Sequence, residues 1–126
     1  YQLALDDPTP NDFHFGPIAV LGSDLLVAAE AFRDLYPSEV GRIDRYDGAT
    51  FAPVRTFFDP TPETSGFATT LLGHAGKVLA RDAGSHGVEG FDAATGAHVH
   101  TLAAPGGDPQ GAFGALLVPF GDHVGV

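Results

Sequence analysis

Apolar residues in this chain are grouped into short runs that alternate with turn-forming residues. Runs such as "PIAVL" (17–21), "LLVAA" (25–29) and "KVLAR" (77–81) are bounded by Gly, Pro, Asp or Ser. Runs of this length, rich in branched and aromatic side chains, are typical of β-strands, whereas a helix requires a longer pattern with a period of about 3.6 residues. The pattern therefore predicts an all-β protein with tight turns.

The runs recur along the chain as copies of a longer unit. The segment "FGPIAVLGSDLLVAA" (15–29) returns as "FATTLLGHAGKVLAR" (67–81), 52 residues later, and starts again at Phe113, 98 residues after its first occurrence. A second segment, "GRIDRYDGATFAPVRTFFDPTP" (41–62), returns at 87–107 with an offset of about 45. The two offsets differ because one connection is longer in the first copy. Repetition with such a period indicates an architecture built from stacked units.

Each complete copy contains four predicted strands joined by short turns. Repeated sheets of four antiparallel strands are the signature of β-propeller blades, which bury their faces against neighbouring blades. We therefore predict a partial propeller domain with two full blades and parts of two others. Its predicted divisions are 1–14 (last strand of a preceding blade and linker), 15–66 (blade), 67–112 (blade) and 113–126 (first two strands of a following blade). Such a set of strands cannot close a ring by itself, so we expect further polypeptide or further copies of the chain to complete it.

Composition disfavours several classes of function. The chain has 6 Lys and Arg against 16 Asp and Glu, a formal net charge of −10, which opposes binding to nucleic acid and to anionic membrane surfaces. Its apolar runs are too short to cross a bilayer, so we predict no membrane insertion, and without cysteine there is no thiolate chemistry. The chain lacks Met and begins in the middle of a strand pattern, so we expect a processed chain or a fragment.

The residues that open each copy are similar to those of a known family. Phe15-Gly16 and Phe113-Gly114 precede the first strand in two copies, and Phe67 with an Ala precedes it in the middle copy. Together with "GRIDRYDGAT" and "TFFDPTP", these residues resemble the FG-GAP repeat of β-propellers, the type found in integrin α-chain heads and many bacterial extracellular proteins. The resemblance implies a non-catalytic extracellular or cell-surface module for binding or adhesion, with a protein or glycan ligand and no cofactor.

Two departures from related repeats bear on cofactors. Integrin-type repeats often hold Ca²⁺ in an Asp-rich loop between the first two strands, but Asp24 alone cannot supply the several oxygens that this ion needs, so we expect no metal. The stretch "GFDAATGAHVHTL" also resembles quinoprotein propeller repeats, which usually close with a Trp that this chain lacks. A fragment of a quinoprotein-like enzyme is therefore one alternative function, and a structural repeat unit of a multimeric surface assembly is another.

Two groups of polar residues are candidates for chemistry. His98 and His100 are two residues apart on a predicted strand, so we expect both imidazoles on one face, with no third metal ligand evident. Asp82, Ser85 and His86 suggest a hydrolase triad, but residues so close on a short loop seldom reach the geometry that a triad requires. We therefore predict no catalytic residue.

The candidate contact residues lie in the longest connection, 30–40. Phe32, Leu35 and Tyr36 stand there among charged residues, either as anchors for a ligand or partner or as a cover for the edge of the blade.

Residues of the second segment are predicted to form turns. Asp47 and Asp92 each begin a turn in which the carboxylate accepts backbone N–H groups. Thr95 and Gly96 complete the Asp-x-x-Thr-Gly motif, in which Gly96 occupies the place of a left-handed residue.

Overall fold

The computed structural model describes residues 14–30, 40–62, 66–106 and 111–126. These residues form β-strands and turns without any helix, so the predicted all-β class is confirmed. The strands are β1 (His14–Leu21), β2 (Asp24–Glu30), β3 (Arg42–Tyr46), β4 (Pro53–Phe58), β5 (Phe67–His74), β6 (Lys77–Asp82), β7 (Gly87–Asp92), β8 (His98–Ala103), β9 (Val118–Phe120) and β10 (His123–Gly125). Within the described ranges, a search for a helix long and apolar enough to cross a membrane finds none.

The strands form antiparallel sheets in which each strand pairs with its neighbours in sequence. The order is β1-β2-β3-β4 in the first sheet and β5-β6-β7-β8 in the second, and β9 pairs with β10 in a hairpin. We refer to the first sheet as blade 1 and to the second as blade 2. Two such sheets followed by a hairpin have the arrangement of a partial β-propeller. The strand predicted within 1–14 lies outside the described residues apart from His14, which belongs to β1.

The first strand of each blade contains a bulge, and the bulge in β5 is one residue longer than the bulge in β1. In β1 the pairing shifts between Phe15 and Ile18, whereas in β5 it shifts between Phe67 and Leu71. Ile18 and Leu71 are therefore equivalent at an offset of 53, and the ungapped alignment at an offset of 52 is wrong beyond the bulge. Because side chains alternate along a strand, this extra residue decides which face of the sheet each later residue occupies.

The larger hydrophobic core lies between the two blades. Its fully or nearly buried members are Leu26, Ala28, Ile43 and Phe57 of blade 1, with Phe67, Ala68, Val78, Ala80, Phe91 and Ala93 in or beside blade 2. Phe91 is the common contact, because its ring centroid lies 5.7 Å from that of Phe57 and 6.1 Å from that of Phe67. Burial of one large apolar side chain stabilises a fold by about 1.5–3 kcal/mol. The blades therefore stabilise each other across their interface.

β1 and β5 are in close contact at Gly73. A Cβ on this residue would lie 2.5 Å from the carbonyl oxygen of Val20 and 2.8 Å from the Cβ of Leu21. No larger residue fits without a shift of the backbone, so glycine permits the contact. The first strands of successive blades thus lie against each other, as they do around the axis of a propeller.

A second, smaller core packs the β9–β10 hairpin onto the other face of blade 2. It consists of Leu79, Val88 and Leu117, with Leu72, Phe113 and Val124 packed against it. Arg81 fastens the start of this segment, since its Nε donates to the carbonyl oxygen of Phe113 at 2.9 Å and its guanidinium also contacts the carbonyl of Gly111. Blade 2 therefore has a neighbour on each face.

Candidate functional site

The Asp-x-x-Thr turns are built in the same way in both blades. Asp92 Oδ1 accepts hydrogen bonds from the backbone N–H groups of Ala94 and Thr95, at 3.1 and 2.9 Å, and from Thr95 Oγ1 at 2.9 Å. Asp47 Oδ1 accepts from Thr50 N at 2.8 Å and from Thr50 Oγ1 at 2.9 Å. The backbone hydrogen bond from the threonine is the main cause that lowers the pKa of each carboxyl, and that of Asp92 falls to about 2. Both carboxylates are thus engaged in turn formation.

The residue after the threonine has a left-handed backbone in both turns. Gly96 has φ = 79°, and Phe51 occupies the equivalent position with φ = 58°. Glycine adopts this conformation without strain, whereas a phenylalanine does so at a cost. The position assigned to a left-handed residue is therefore left-handed in the structure.

The Phe-Gly positions are structural. Phe67 is buried between the blades, and Phe113 packs against the smaller core. Gly114 has φ = 75°, and a Cβ there would lie 2.6 Å from Val88 Cγ2. A Cβ on Gly16 would lie in ordinary contact with Ala28 of β2, at 3.4 Å from its Cβ. The backbone of Phe15 pairs with Ala29 of the same strand. None of these residues lines either of the two clefts of the described residues that are discussed below.

Two arginines of blade 1 bind the Asp turn of blade 2. Arg45 Nη1 donates to the carbonyl oxygen of Ala93 at 2.9 Å, and Arg55 Nη1 donates to that of Thr95 at 2.7 Å. Arg45 also donates through Nε to Asp24 Oδ2 at 2.7 Å. These bonds place the turn of one blade against the face of the previous one.

The expectation that His98 and His100 share a face is wrong. The pairing of β7 with β8 shifts between Gly90 and Phe91, because β8 carries one extra residue there. His98 Nε2 lies 2.7 Å from Glu89 Oε2, on the face toward blade 1. The ring of His100 lies over Gly90, where a Cβ would be 2.5 Å from its Cε1, on the opposite face. The two imidazoles therefore cannot bind one metal ion.

A group of buried carboxylates lies between the blades: Glu89 is on β7 of blade 2, and Asp59 directly follows β4 of blade 1. Glu89 Oε2 accepts a hydrogen bond from Thr101 Oγ1 at 2.6 Å, while its Oε1 is buried and has no hydrogen-bond partner in the described residues. Asp59 is nearly buried, and this burial raises its pKa; the negative charges of Asp82 and Glu89 raise it further, and a backbone hydrogen bond from Thr61 opposes the shift. The carboxylates of Asp59, Asp82 and Glu89 are therefore close enough for their charges to interact.

The candidate triad is not assembled in the structure. The Asp82 carboxylate is buried and accepts hydrogen bonds from Gly84 N at 2.9 Å and from Thr61 Oγ1 at 2.8 Å. Ser85 and His86 are exposed in the turn that follows. The carboxylate therefore organises its own turn, and no bond of the described residues joins it to His86.

A cleft lies between blade 2 and the β9–β10 hairpin. Its volume is about 250 Å³, and Leu79, Leu102 and Val124 form its apolar lining. His74, His100 and His123 bring three imidazoles to it from three different strands, and Lys77 and Asp122 add charged groups. We call it the histidine cleft. His74 Nε2 lies 2.7 Å from the carbonyl oxygen of Gly121, so this nitrogen carries the proton in that contact.

A second cleft occupies the equivalent place between blade 1 and blade 2. It has a volume of about 350 Å³ and is lined by Leu21, Gly22, Arg45, Gly76, Ala93 and Ala94. We call it the arginine cleft. Here the hydrogen bonds of Arg45 and Arg55 hold the turn of blade 2. At an offset of 45 the same two positions in blade 2 are Gly90 and His100, so that one arginine is replaced by a glycine and the other by an imidazole that lines the histidine cleft.

The histidine cleft was missed from the sequence. His74 and His123 sit at the closing pairs of the β5–β6 and β9–β10 hairpins, and an alignment of the hairpins would have brought them to one end of the propeller. The candidate contact residues Phe32, Leu35 and Tyr36 lie outside the described residues. Across the described ranges, no group of three or more His, Asp or Glu side chains is arranged to hold a metal ion.

Comparison with known proteins identifies no family for this chain. The sequence matches no protein-family model and none of the curated proteins.

Proposed function

We propose that this chain is a non-catalytic binding or adhesion module built from FG-GAP-like propeller repeats, acting outside the cell or at its surface. The observation that carries the proposal is a contrast between the blades: their framework is repeated, while the residues that line their clefts differ. In repeat proteins, variation of this kind on a constant scaffold supplies a surface for recognition.

The repeated framework extends to side-chain hydrogen bonds. The Asp-x-x-Thr turn is one example, and the pair between β3 and β4 is another: Thr56 Oγ1 donates to Asp44 Oδ1 at 2.7 Å, and at the equivalent place Thr101 Oγ1 donates to Glu89 Oε2 at 2.6 Å. The residues that line the two clefts are not repeated in this way. Arg45 donates to the carbonyl oxygen of Ala93 in the arginine cleft. In the histidine cleft, His74 is hydrogen-bonded to the carbonyl oxygen of Gly121, whereas the imidazoles of His100 and His123 make no hydrogen bond to other described residues.

The histidine cleft supplies donors suited to a polar ligand. Imidazole and ammonium nitrogens donate to hydroxyl, carbonyl and carboxylate oxygens, and the leucine and valine side chains can contact an apolar ring face. Glycan and protein ligands both present this combination of groups. A catalytic role is less well supported, because Asp47, Asp82 and Asp92 are each engaged in a turn.

The proposal is tested by binding of the immobilised chain to a glycan array and to a panel of purified extracellular proteins. We expect a ligand whose binding is reduced at least tenfold by His100→Ala combined with His123→Ala. His86→Asn, which changes an exposed histidine outside the cleft, serves as the control and should bind normally.

A second variant, Phe32→Ala with Tyr36→Ala, tests the connection 30–40 as the contact surface. Loss of binding in this variant alone would keep the binding function but move the site from the cleft to the connection. Binding that neither variant changes, or no ligand in either panel, would overturn the proposal. Cofactor absorbance with dye-linked dehydrogenase activity would support the quinoprotein alternative instead.

A further inference from the structure

We propose that copies of this chain associate head to tail, with the outer face of the β9–β10 hairpin of one copy packed on the outer face of β1 in the next. This association is independent of the proposed ligand binding. Both surfaces belong to this chain, and the structure already shows how surfaces of each kind pair with each other.

The three first-strand hairpins can be superimposed by the residue pairs that close them. Leu21 pairs with Asp24, His74 pairs with Lys77 at the same point of blade 2, and Phe120 pairs with the first residue of β10. Leu21, His74 and Phe120 are therefore equivalent. Since side chains alternate, the residues two positions before them lie on the same faces.

This face is covered in both blades. Ala19 and Leu21 of blade 1 pack against the core shared with blade 2. Leu72 of blade 2 packs against the smaller core, and His74 contacts the carbonyl of Gly121 in the hairpin. We call it the leading face, because in each case it contacts the unit that follows.

In the hairpin the leading face is exposed. Phe120 is 78% exposed and Val118 is 45% exposed, and Leu116 beside them is 70% exposed. They alternate with Leu117, which is buried against blade 2. A row of large apolar side chains open to water is unfavourable unless another surface covers it.

The opposite, trailing face is covered in blade 2 and in the hairpin but open in blade 1. Leu71 and Gly73 receive the leading face of β1, and Leu117 receives that of β5. The equivalent residues of blade 1 are Ile18 and Val20, which are 62% and 59% exposed. The described residues therefore present an exposed leading face on the hairpin and an exposed trailing face on blade 1.

A second copy supplies the surface that each of these faces lacks. The leading face packs on a trailing face at both interfaces within the chain, so Phe120 and Val118 are expected to pack on Ile18 and Val20 of the next copy. Such a contact joins two different surfaces and is heterologous, so it continues until a ring closes or a filament grows. Each copy carries a net charge of −10, so repulsion opposes the contact and added salt should strengthen it.

Sedimentation equilibrium of the 126-residue chain tests the proposal. We expect the mean mass to rise above 13.0 kDa with protein concentration, and to rise further when NaCl is increased from about 0.05 to 0.5 M. Two variants separate the faces: Val118→Thr with Phe120→Ser changes the leading face, and Ile18→Thr with Val20→Thr changes the trailing face. Val99→Thr, an exposed valine on the outer strand β8, is the matched control and should associate like the original chain.

The decisive result comes from a mixture. Each variant alone should remain at the mass of one chain, while an equimolar mixture should form a one-to-one dimer that grows no further, because each variant retains the face that the other lacks. Circular dichroism checks that all variants are folded. A chain that stays monomeric up to about 0.5 mM at high salt would overturn the proposal, because a contact with a Kd of about 0.1 mM or tighter would raise the mean mass at that concentration. Loss of association in only one of the two variants would also overturn it, because that result indicates a symmetric contact.

Discussion

The rings of Phe57 and Phe91 meet edge to face across the interface between the blades, with centroids 5.7 Å apart and ring planes at 63°. Phe57 lies on β4, the outermost strand of blade 1, whereas Phe91 lies on β7 of blade 2. Both side chains are fully buried, and the contact between them forms only when the two sheets stack. The stability of either blade therefore depends on its neighbour.

Replacement of Phe57 by Ala should lower the free energy of unfolding by about 3–5 kcal/mol, the usual cost of a cavity left by a buried phenyl ring. Phe58 is the matched control, because it is the next residue on the same strand and is 60% exposed. Phe58→Ala should change the free energy of unfolding by less than about 0.5 kcal/mol. Urea denaturation followed by circular dichroism measures both.

If the two variants lower the free energy of unfolding equally, the burial of Phe57 and the exposure of Phe58 on β4 are contradicted. If Phe57→Ala does not fold, Phe57→Leu offers a milder test with an expected loss of about 1–2 kcal/mol.

The second prediction concerns the pH dependence of the Asp turns. Hydrogen bonds from Thr95, with a smaller contribution from Lys77, lower the pKa of Asp92 from 3.8 to about 2. The pKa in the folded state is thus below that of the unfolded chain, so ionised Asp92 stabilises the fold above about pH 4, and this stabilisation is lost as the pH falls toward 2. An NMR titration of the Asp92 carboxyl carbon should therefore give a pKa near 2.

Thr95→Val provides the comparison, because it keeps the backbone N–H but removes the hydroxyl donor. The pKa of Asp92 should rise in this variant, while that of Asp47 should stay lowered by its own turn. A pKa of Asp92 that starts at its ordinary value in the original chain would show that the turn hydrogen bonds do not form in solution.

The strands and turns could be predicted from the sequence because each depends on neighbouring residues. Asp92, Thr95 and Gly96 form their turn through contacts within five residues, and the Asp and the Thr recur in blade 1 as Asp47 and Thr50. The repeat itself was also visible, since equivalent blades need similar apolar runs. The fold class and the stacking of the sheets follow from these features.

The faces of individual residues could not be predicted so well. A bulge adds one residue to a strand without any change in its apolar character, and every residue beyond it moves to the other face. For this reason the two-residue spacing of His98 and His100 predicts one shared face, although the shift between Gly90 and Phe91 places them on opposite faces. The extra residue before Leu71 likewise displaced the alignment of the first hairpins.

The histidine cleft depends on contacts between units and was therefore not predicted. His74, His100 and His123 are distant in sequence, and they face one space only after the hairpin has packed on blade 2. No local pattern indicates such an arrangement. The information that would have revealed it is the position of each histidine within its own hairpin or strand, compared between the units.

The third prediction concerns the left-handed residue of the turn. Gly96 has φ = 79°, and a Cβ at this position would lie 3.0 Å from Arg55 Cδ. Gly96→Ala should therefore lower the free energy of unfolding by about 1–2 kcal/mol, the cost of a left-handed backbone for an L-residue. Gly106→Ala is the control, because a Cβ there meets nothing within 4 Å and the backbone is not left-handed. A Gly106 variant as destabilised as the Gly96 variant, in thermal or urea unfolding, would contradict this explanation.

The last prediction tests how the hairpin is held on blade 2. Arg81 donates to the carbonyl oxygen of Phe113 at 2.9 Å and to Thr69 Oγ1 at 3.2 Å, and it also contacts the carbonyl of Gly111. Arg81→Met keeps the aliphatic part of the side chain but removes the hydrogen-bond donors. The free energy of unfolding should therefore fall by about 1.5–3 kcal/mol, the range for hydrogen bonds to a charged group. This destabilisation should appear mainly as local opening of residues 111–126. Hydrogen exchange measured by mass spectrometry should therefore accelerate in this segment.

Arg55→Met is the matched comparison for this experiment. Arg55 makes the corresponding kind of contact between blade 1 and blade 2, where it donates to the carbonyl oxygen of Thr95 at 2.7 Å. Its replacement should accelerate exchange around the turn 92–96 and leave 111–126 unchanged, because the two arginines fasten different units. If both variants accelerate exchange in the same peptides, the units open together, and the separate fastening of each unit by its own arginine is wrong.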